Sequence, residues 1–296
     1  MIVCVQSSAG CASILTNVLK GSSQVKKIRL IVLIFAILFG ISISTTAHAK
    51  TTVATPTLFI HGLGGTKKST DGLITAAETK VNAKKVMTIT VAADGTLDVQ
   101  GSFSKQVKKP LIQINFTNNE ASTTTQTQWL TKALQLLQNK YGVTKYNVVA
   151  HSAGNVAFFQ TVTQKSVKLP TLKKYVILAG PFNGVVGMND AANQNQLLKH
   201  YQPQTYYAAN NYYPGYQQLL DVSQRFPKHV KILNIYGDLN DGTHSDGLVT
   251  IQSELSINYL LYKHNDQIKN VKMVGLSHTE LHKSAKVDQK WIKFIW

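Results

Sequence analysis

Cysteine is almost missing: the 296 residues hold two, Cys4 and Cys11, both near the start of the chain. Acidic residues are scarce as well, 14 against 31 Lys plus Arg, for a formal net charge of +17. With 15% charged and 44% hydrophobic residues, the chain is no disordered polyelectrolyte and can bury a sizeable core. Its marked apolar run, residues 30–43, has 14 residues, which is short for a membrane-spanning helix.

That run sits in a recognisable context. Lys20, Lys26, Lys27 and Arg29 precede it and Ala47-His48-Ala49 follows. A basic region, an apolar stretch and small residues at the end predict a secretory signal peptide over residues 1–49, cleaved after Ala49. An uncleaved anchor is the alternative. Cleavage removes four basic residues and both cysteines, leaving residues 50–296 with 27 basic against 14 acidic side chains. An exported domain without cysteine has no disulfides, zinc thiolates or thiol nucleophile.

Within residues 50–296, apolar runs of strand length alternate with segments of helical period, which predicts an α/β sheet flanked by helices. Strands are expected at 57–60, 86–91, 111–116, 146–150, 174–178, 230–236 and 271–275. Asp94-Gly95 followed by 97–103 predicts a β-hairpin insertion. Helices are expected at 123–141, from 155 to about 165, and at 289–296. Residues 185–228 break the rhythm; they are rich in Asn, Gln and Tyr, including Tyr201, Tyr206, Tyr207, Tyr212, Tyr213 and Tyr216. A segment this long reads as a cap beside a site, its tyrosines lining an apolar pocket.

The chemistry-bearing motifs lie at strand ends. Ala150-His151-Ser152-Ala153-Gly154 joins a strand to a helix, the setting in which a tight turn lifts a serine hydroxyl off the sheet edge. Earlier, His61-Gly62-Leu63-Gly64-Gly65 follows another strand. Its glycines let backbone amides converge, and the N–H groups of Leu63 and Ala153 are expected to form an oxyanion hole. The loop reads poorly as a phosphate cradle, because no Lys-Ser/Thr ending follows in register.

Serine needs a base and the base an orienting acid. His278, just past the last strand, is expected to be the base, with His244 as its rival; His200, His229, His264 and His282 read as solvated. The loop after 230–236 offers Asp238, Asp241 and Asp246. Asp246, followed by Gly247-Leu248-Val249, is the expected acid; the other two read as loop-shaping or solvent-facing residues, and a cation site built from them has little support.

Through these motifs the chain resembles the α/β-hydrolase superfamily, above all cell-surface hydrolases exported by Gram-positive bacteria. It is also similar to small secreted bacterial lipases. The likeness runs over residues 55–296 and rests on H-G-L-G-G, A-H-S-A-G, the S-D-G-L-V stretch at Asp246 and S-H at His278. It implies an α/β-hydrolase fold and a secreted or cell-surface serine esterase acting through Ser152, His278 and Asp246, without cofactor or metal. Departures are Ala150 in place of the elbow's first glycine, and Ala153 and Asn155 where such lipases often carry Met and Gly.

Two other readings keep the fold: a silent cell-surface binding protein, or an acyltransferase, thioesterase or amidase using the same three residues. The expected partner is a small-molecule or lipid ester. The basic charge leaves room for electrostatic association with an anionic wall or membrane surface. Nucleic acid is not expected, because pairs such as Lys67-Lys68 and Lys173-Lys174 are scattered rather than gathered with aromatics.

Overall fold

The computed structural model describes residues 54–104, 106–209, 213–263 and 267–296. The leader over residues 1–49, Tyr212 and His264 lie outside them. In chain order the elements are β1 (Thr57–Ile60), α1 (Lys67–Val81), β2 (Lys84–Val91), β3 (Leu97–Gly101), β4 (Pro110–Phe116), α2 (Thr123–Asn139), β5 (Lys145–His151), α3 (Ala153–Val162) and β6 (Thr171–Leu178). Then follow α4 (Tyr216–Ser223), β7 (Lys231–Asp238), α5 (Ile251–Leu255), α6 (Ile257–Leu261), β8 (Ile268–Val274) and α7 (Ala285–Ile295).

The eight strands form one sheet in the order β3-β2-β4-β1-β5-β6-β7-β8. All neighbours run parallel except β3, which pairs antiparallel with β2 as the Asp94-Gly95 turn predicts. From β1 the chain fills one side of the sheet, with β4 inserted last between β2 and β1, then crosses to β5 and builds outward on the other side. The carboxyl ends of β1 and β5 are therefore a topological switch point, where open α/β sheets place their sites. Ile60 pairs with Ala150, so the two glycine-containing motifs emerge side by side.

Apolar runs rather than alternating patterns mark the central strands because both sheet faces are covered. On β1, Leu58 and Ile60 join one core with α2 and α3, which add Trp129, Leu134, Phe158 and Phe159. Phe59 points the other way, into a second core with Leu73 and Ile74 of α1 and Trp291 and Ile295 of α7. Its ring meets that of Trp291 edge-on at 5.7 Å. Each such fully buried side chain stabilises by roughly 1.5–3 kcal/mol.

Helix α1 was not expected. Thr66 caps it in a reciprocal pair with Ser69, and its buried stripe is Thr70, Leu73, Ile74 and Ala77. With one large aliphatic pair and Gly72 in mid-helix, its periodic signal is weak. Helices α5 and α6 were likewise unforeseen. Strand β8 and helix α7 start earlier than expected, at Ile268 and Ala285. Among the described residues no helix is long and apolar enough to cross a membrane.

The segment 185–228 is fastened as a cap, with a correction. Val186 N–H donates to the Leu248 carbonyl (2.9 Å) and Asn183 N–H to Ser253 Oγ (3.0 Å). The Thr250 hydroxyl donates to Asp190 Oδ2 (2.7 Å). Its tyrosines mostly turn away from the cleft: Tyr216 is buried and donates to the Ser256 carbonyl (2.8 Å), and Tyr206 packs on its ring at 4.8 Å. Among the described cap tyrosines, Tyr213 alone lines the cleft.

Candidate active site

Ser152 stands between β5 and α3 with φ 51° and ψ −132°. That is a conformation other residues avoid, and it holds the side chain above the sheet edge. The turn is clamped from below. Ser152 N–H donates to the Leu178 carbonyl at 2.9 Å, and the Asn155 side-chain amide donates to the carbonyls of Ser152 (3.2 Å) and Leu178 (3.0 Å). The Tyr175 hydroxyl in turn donates to Asn155 Oδ1 at 2.9 Å. The departure at Asn155 thus has a structural reason: a buried amide ties the turn to β6.

Two glycines allow the close approach of the two motifs. A Cβ on Gly62 would stand 2.7 Å from Ser152 Cβ, and one on Gly154 would stand 2.5 Å from the His61 carbonyl oxygen. His61 is wholly buried. Its Nε2 accepts from Phe116 N–H (3.0 Å), so Nδ1 carries the proton and donates to the Gly62 carbonyl (2.9 Å). Burial holds this imidazole's pKa below the ordinary value and keeps it neutral. The Gly65 amide adds a second bond to the same carbonyl (3.1 Å). Because the peptide is planar and trans, a Gly62 carbonyl fixed toward His61 turns the Leu63 N–H the opposite way; Leu63 is among the residues that line the cleft. Ala153 opens α3, where first-turn amides have no helical partner.

His278, Asp246 and Ser152 meet. His278 Nδ1 donates to Asp246 Oδ2 at 2.7 Å, and the Ser152 hydroxyl donates to His278 Nε2 at 2.8 Å. Asp246 is fully buried, and its Oδ1 accepts the N–H groups of Leu248 (2.9 Å) and Val249 (2.7 Å). The backbone of His278 is held on both sides: its N–H donates to the Asp246 carbonyl (2.9 Å), and its carbonyl accepts from His151 Nε2 (3.1 Å). His151 is kept neutral by burial first, then by His278 and His282 nearby. Neither His61 nor His151 could be seen as a backbone clamp in the sequence, since each grips a peptide that only the fold brings near.

The rivals lie elsewhere. His244 is exposed and absent from the cleft lining. Asp238 pairs with Lys272 at 2.5 Å, and Asp241 bonds Thr243 in an exposed turn. One expectation is corrected: His282 is buried, not solvated, and its ring packs against His151 at 4.5 Å. Chain proximity to His278 was the available signal. Among the described residues no group of His, Asp and Glu is arranged to hold a metal ion.

Behind the acid lies a second carboxyl. Glu254 on α5 is wholly buried; the Gly237 amide is near, but neither carboxyl oxygen has a well-formed hydrogen bond. Burial, and secondarily the charges of Asp246 and Asp238, push its pKa well above the ordinary value. The folded protein thus keeps a proton that the unfolded chain releases. Its stability contribution is full below the ordinary glutamate pKa and is lost as pH rises toward the elevated one. Glu254→Gln mimics the neutral acid. Its melting temperature, measured against wild type from pH 4 to pH 8, should match at the acid end and rise above it with pH.

A cleft of ≈ 490 Å³ opens over Ser152 and His278, within the size range of small-molecule pockets. The structure resembles a Listeria innocua gene product with a TM-score of 0.70 at 24% identity, over 82% of this chain and 94% of that one. It also resembles a Lactobacillus plantarum protein described as a candidate cell surface hydrolase, with a TM-score of 0.65 at 20% identity, over 82% and 90% of the two chains. No curated protein matches the chain. Residues 44–296 match the alpha/beta hydrolases of unknown function, DUF915, and the chain belongs to that family.

Proposed function

We propose that this hydrolase cleaves carboxylic esters through an acyl-enzyme, exported from the cell and held at its surface. The observation that carries the reading is the continuous hydrogen-bond path from Ser152 through His278 to Asp246, 2.8 and 2.7 Å long, at the floor of a cleft. In this reading Ser152 Oγ attacks the ester carbonyl while His278 Nε2 takes its proton. The imidazolium is stabilised by the buried Asp246 carboxylate, and the amides of Leu63 and Ala153 receive the developing oxyanion. His278 then returns the proton to the leaving alcohol, and a water repeats the sequence to free the acid.

The test is a panel of p-nitrophenyl esters of increasing chain length, run beside amide and thioester substrates, with fluorophosphonate labelling of residues 50–296. Ester turnover and labelling that disappears in Ser152→Ala are expected. Turnover of amides alone sinks the esterase reading, and equal labelling of Ser152→Ala removes the serine from its role.

A further inference from the structure

The cleft has two unlike ends, and each is fixed by contacts away from Ser152. At one end, Val186 bonds the Leu248 carbonyl, which sets Val185, Met188 and Leu248 together along the wall. Met188 and Leu248 keep 49% and 41% of their surface exposed there, an apolar patch that a ligand in the cleft would cover. At the other end, the start of α1 meets the turn Glu280–His282, with His282 beside the Ser69 backbone. This brings Lys68 and Lys283 to the same wall.

Among the described residues neither of those two lysines forms an ion pair. The carboxylates closest in sequence are engaged elsewhere: Asp71 accepts from Gln113 at 2.8 Å, and Glu280 accepts from the Ser277 amide and hydroxyl at 2.8 and 2.6 Å. The first turn of α1 carries no acidic residue.

Resting on the ester-hydrolase reading, we infer that the substrate is an acyl ester whose alcohol carries an anionic group, bound by Lys68 and Lys283. Orientation follows from the proton path. The leaving alcohol must lie within reach of His278 Nε2, and the segment that carries His278 continues through Thr279 and His282 to Lys283 along the cleft. The alcohol therefore faces the cationic end and the acyl chain the Val185, Met188 and Leu248 end. Lys68 and Lys283 act as binding residues through charge, so their effect is screened by salt.

The experiment compares esters matched in acyl chain. One pair is monobutyrylglycerol and its glycerol phosphate counterpart; the other is ortho-nitrophenyl butyrate and the same ester bearing a ring carboxylate. At low ionic strength the anionic member is expected to have a kcat/KM at least about fivefold higher, through KM, from two solvent-exposed charge contacts. The ratio should fall toward one in the double variant Lys68→Gln, Lys283→Gln and in high salt, and persist in Lys68→Arg, Lys283→Arg. The double variant Lys140→Gln, Lys145→Gln, on the amino side of the sheet, removes the same number of charges and should leave the ratio in place.

Preference in the phosphate pair alone or the carboxylate pair alone upholds the subsite and names its anion. Turnover of neutral esters with no anionic preference, or a preference unmoved by the double Gln variant, overturns the inference while the hydrolase reading stands. No ester turnover and no fluorophosphonate labelling overturns both.

Discussion

A Ser152→Gly variant is expected to lose nearly all of the proposed ester turnover, yet to melt several degrees higher than Ser152→Ala. In the proposed mechanism activity falls by on the order of 10⁴-fold or more in both, because its nucleophile is removed and only binding and the oxyanion amides remain. Stability separates them. At φ 51° and ψ −132° a residue with a Cβ is strained by about 1–3 kcal/mol, and glycine is not. Glycine's extra freedom in the unfolded chain takes back about 0.4–1 kcal/mol. Both variants lose the hydrogen bond to His278, so that loss cancels. A net 1–2 kcal/mol corresponds to about 2–4 °C per kcal/mol in a domain of this size. Calorimetry of the two variants reads the difference; equal melting temperatures would mean that the turn stores no strain.

That strain belongs to the part of the site that was legible before the fold was known. A serine between a strand and a helix, a histidine beyond the last strand and an aspartate in the loop before it are positions relative to elements, and the apolar runs of a doubly covered sheet mark those elements plainly. What stayed hidden depends on partners far apart in the chain. His61 grips the Gly62 peptide only because Phe116 closes over its other nitrogen, and His151 reaches the carbonyl of His278 across 127 residues. The tyrosines of the cap were misassigned because composition says that a ring is present and nothing about which way it turns; Tyr216 is buried in the flank, where its hydroxyl donates to the Ser256 carbonyl at the α5–α6 junction. Helix α1 escaped because its burial rests on few large residues. Yet it supplies Lys68, one of the two cations on which the substrate inference depends. At β8 the solvent-facing pattern of an edge strand blurred its first three residues.

Asp246→Asn is expected to lower ester turnover about 10⁴-fold with little change in melting temperature. Oδ1 of Asp246 faces two backbone donors, the amides of Leu248 and Val249, at 2.9 and 2.7 Å. An asparagine must keep its oxygen there, because its NH₂ group in that place would confront two N–H groups. The NH₂ is then left facing His278 Nδ1, which can pair with it only as an acceptor. The imidazole proton moves to Nε2, the atom that receives the Ser152 hydroxyl at 2.8 Å in the native arrangement. A protonated Nε2 donates to Ser152 and cannot take its proton, so the Ser152 hydroxyl stays neutral although every atom is near its native place. The neighbouring carboxyls Asp238 and Glu254 cannot step in: Asp238 is held by Lys272, and Glu254 is buried with its pKa pushed up, which keeps it protonated. The rate of fluorophosphonate labelling should therefore fall with turnover, while Asp246→Ala, which strands both amides without an acceptor, should also melt lower. Labelling and turnover within tenfold of wild type in Asp246→Asn would show that the tautomer of His278 is set by some other group.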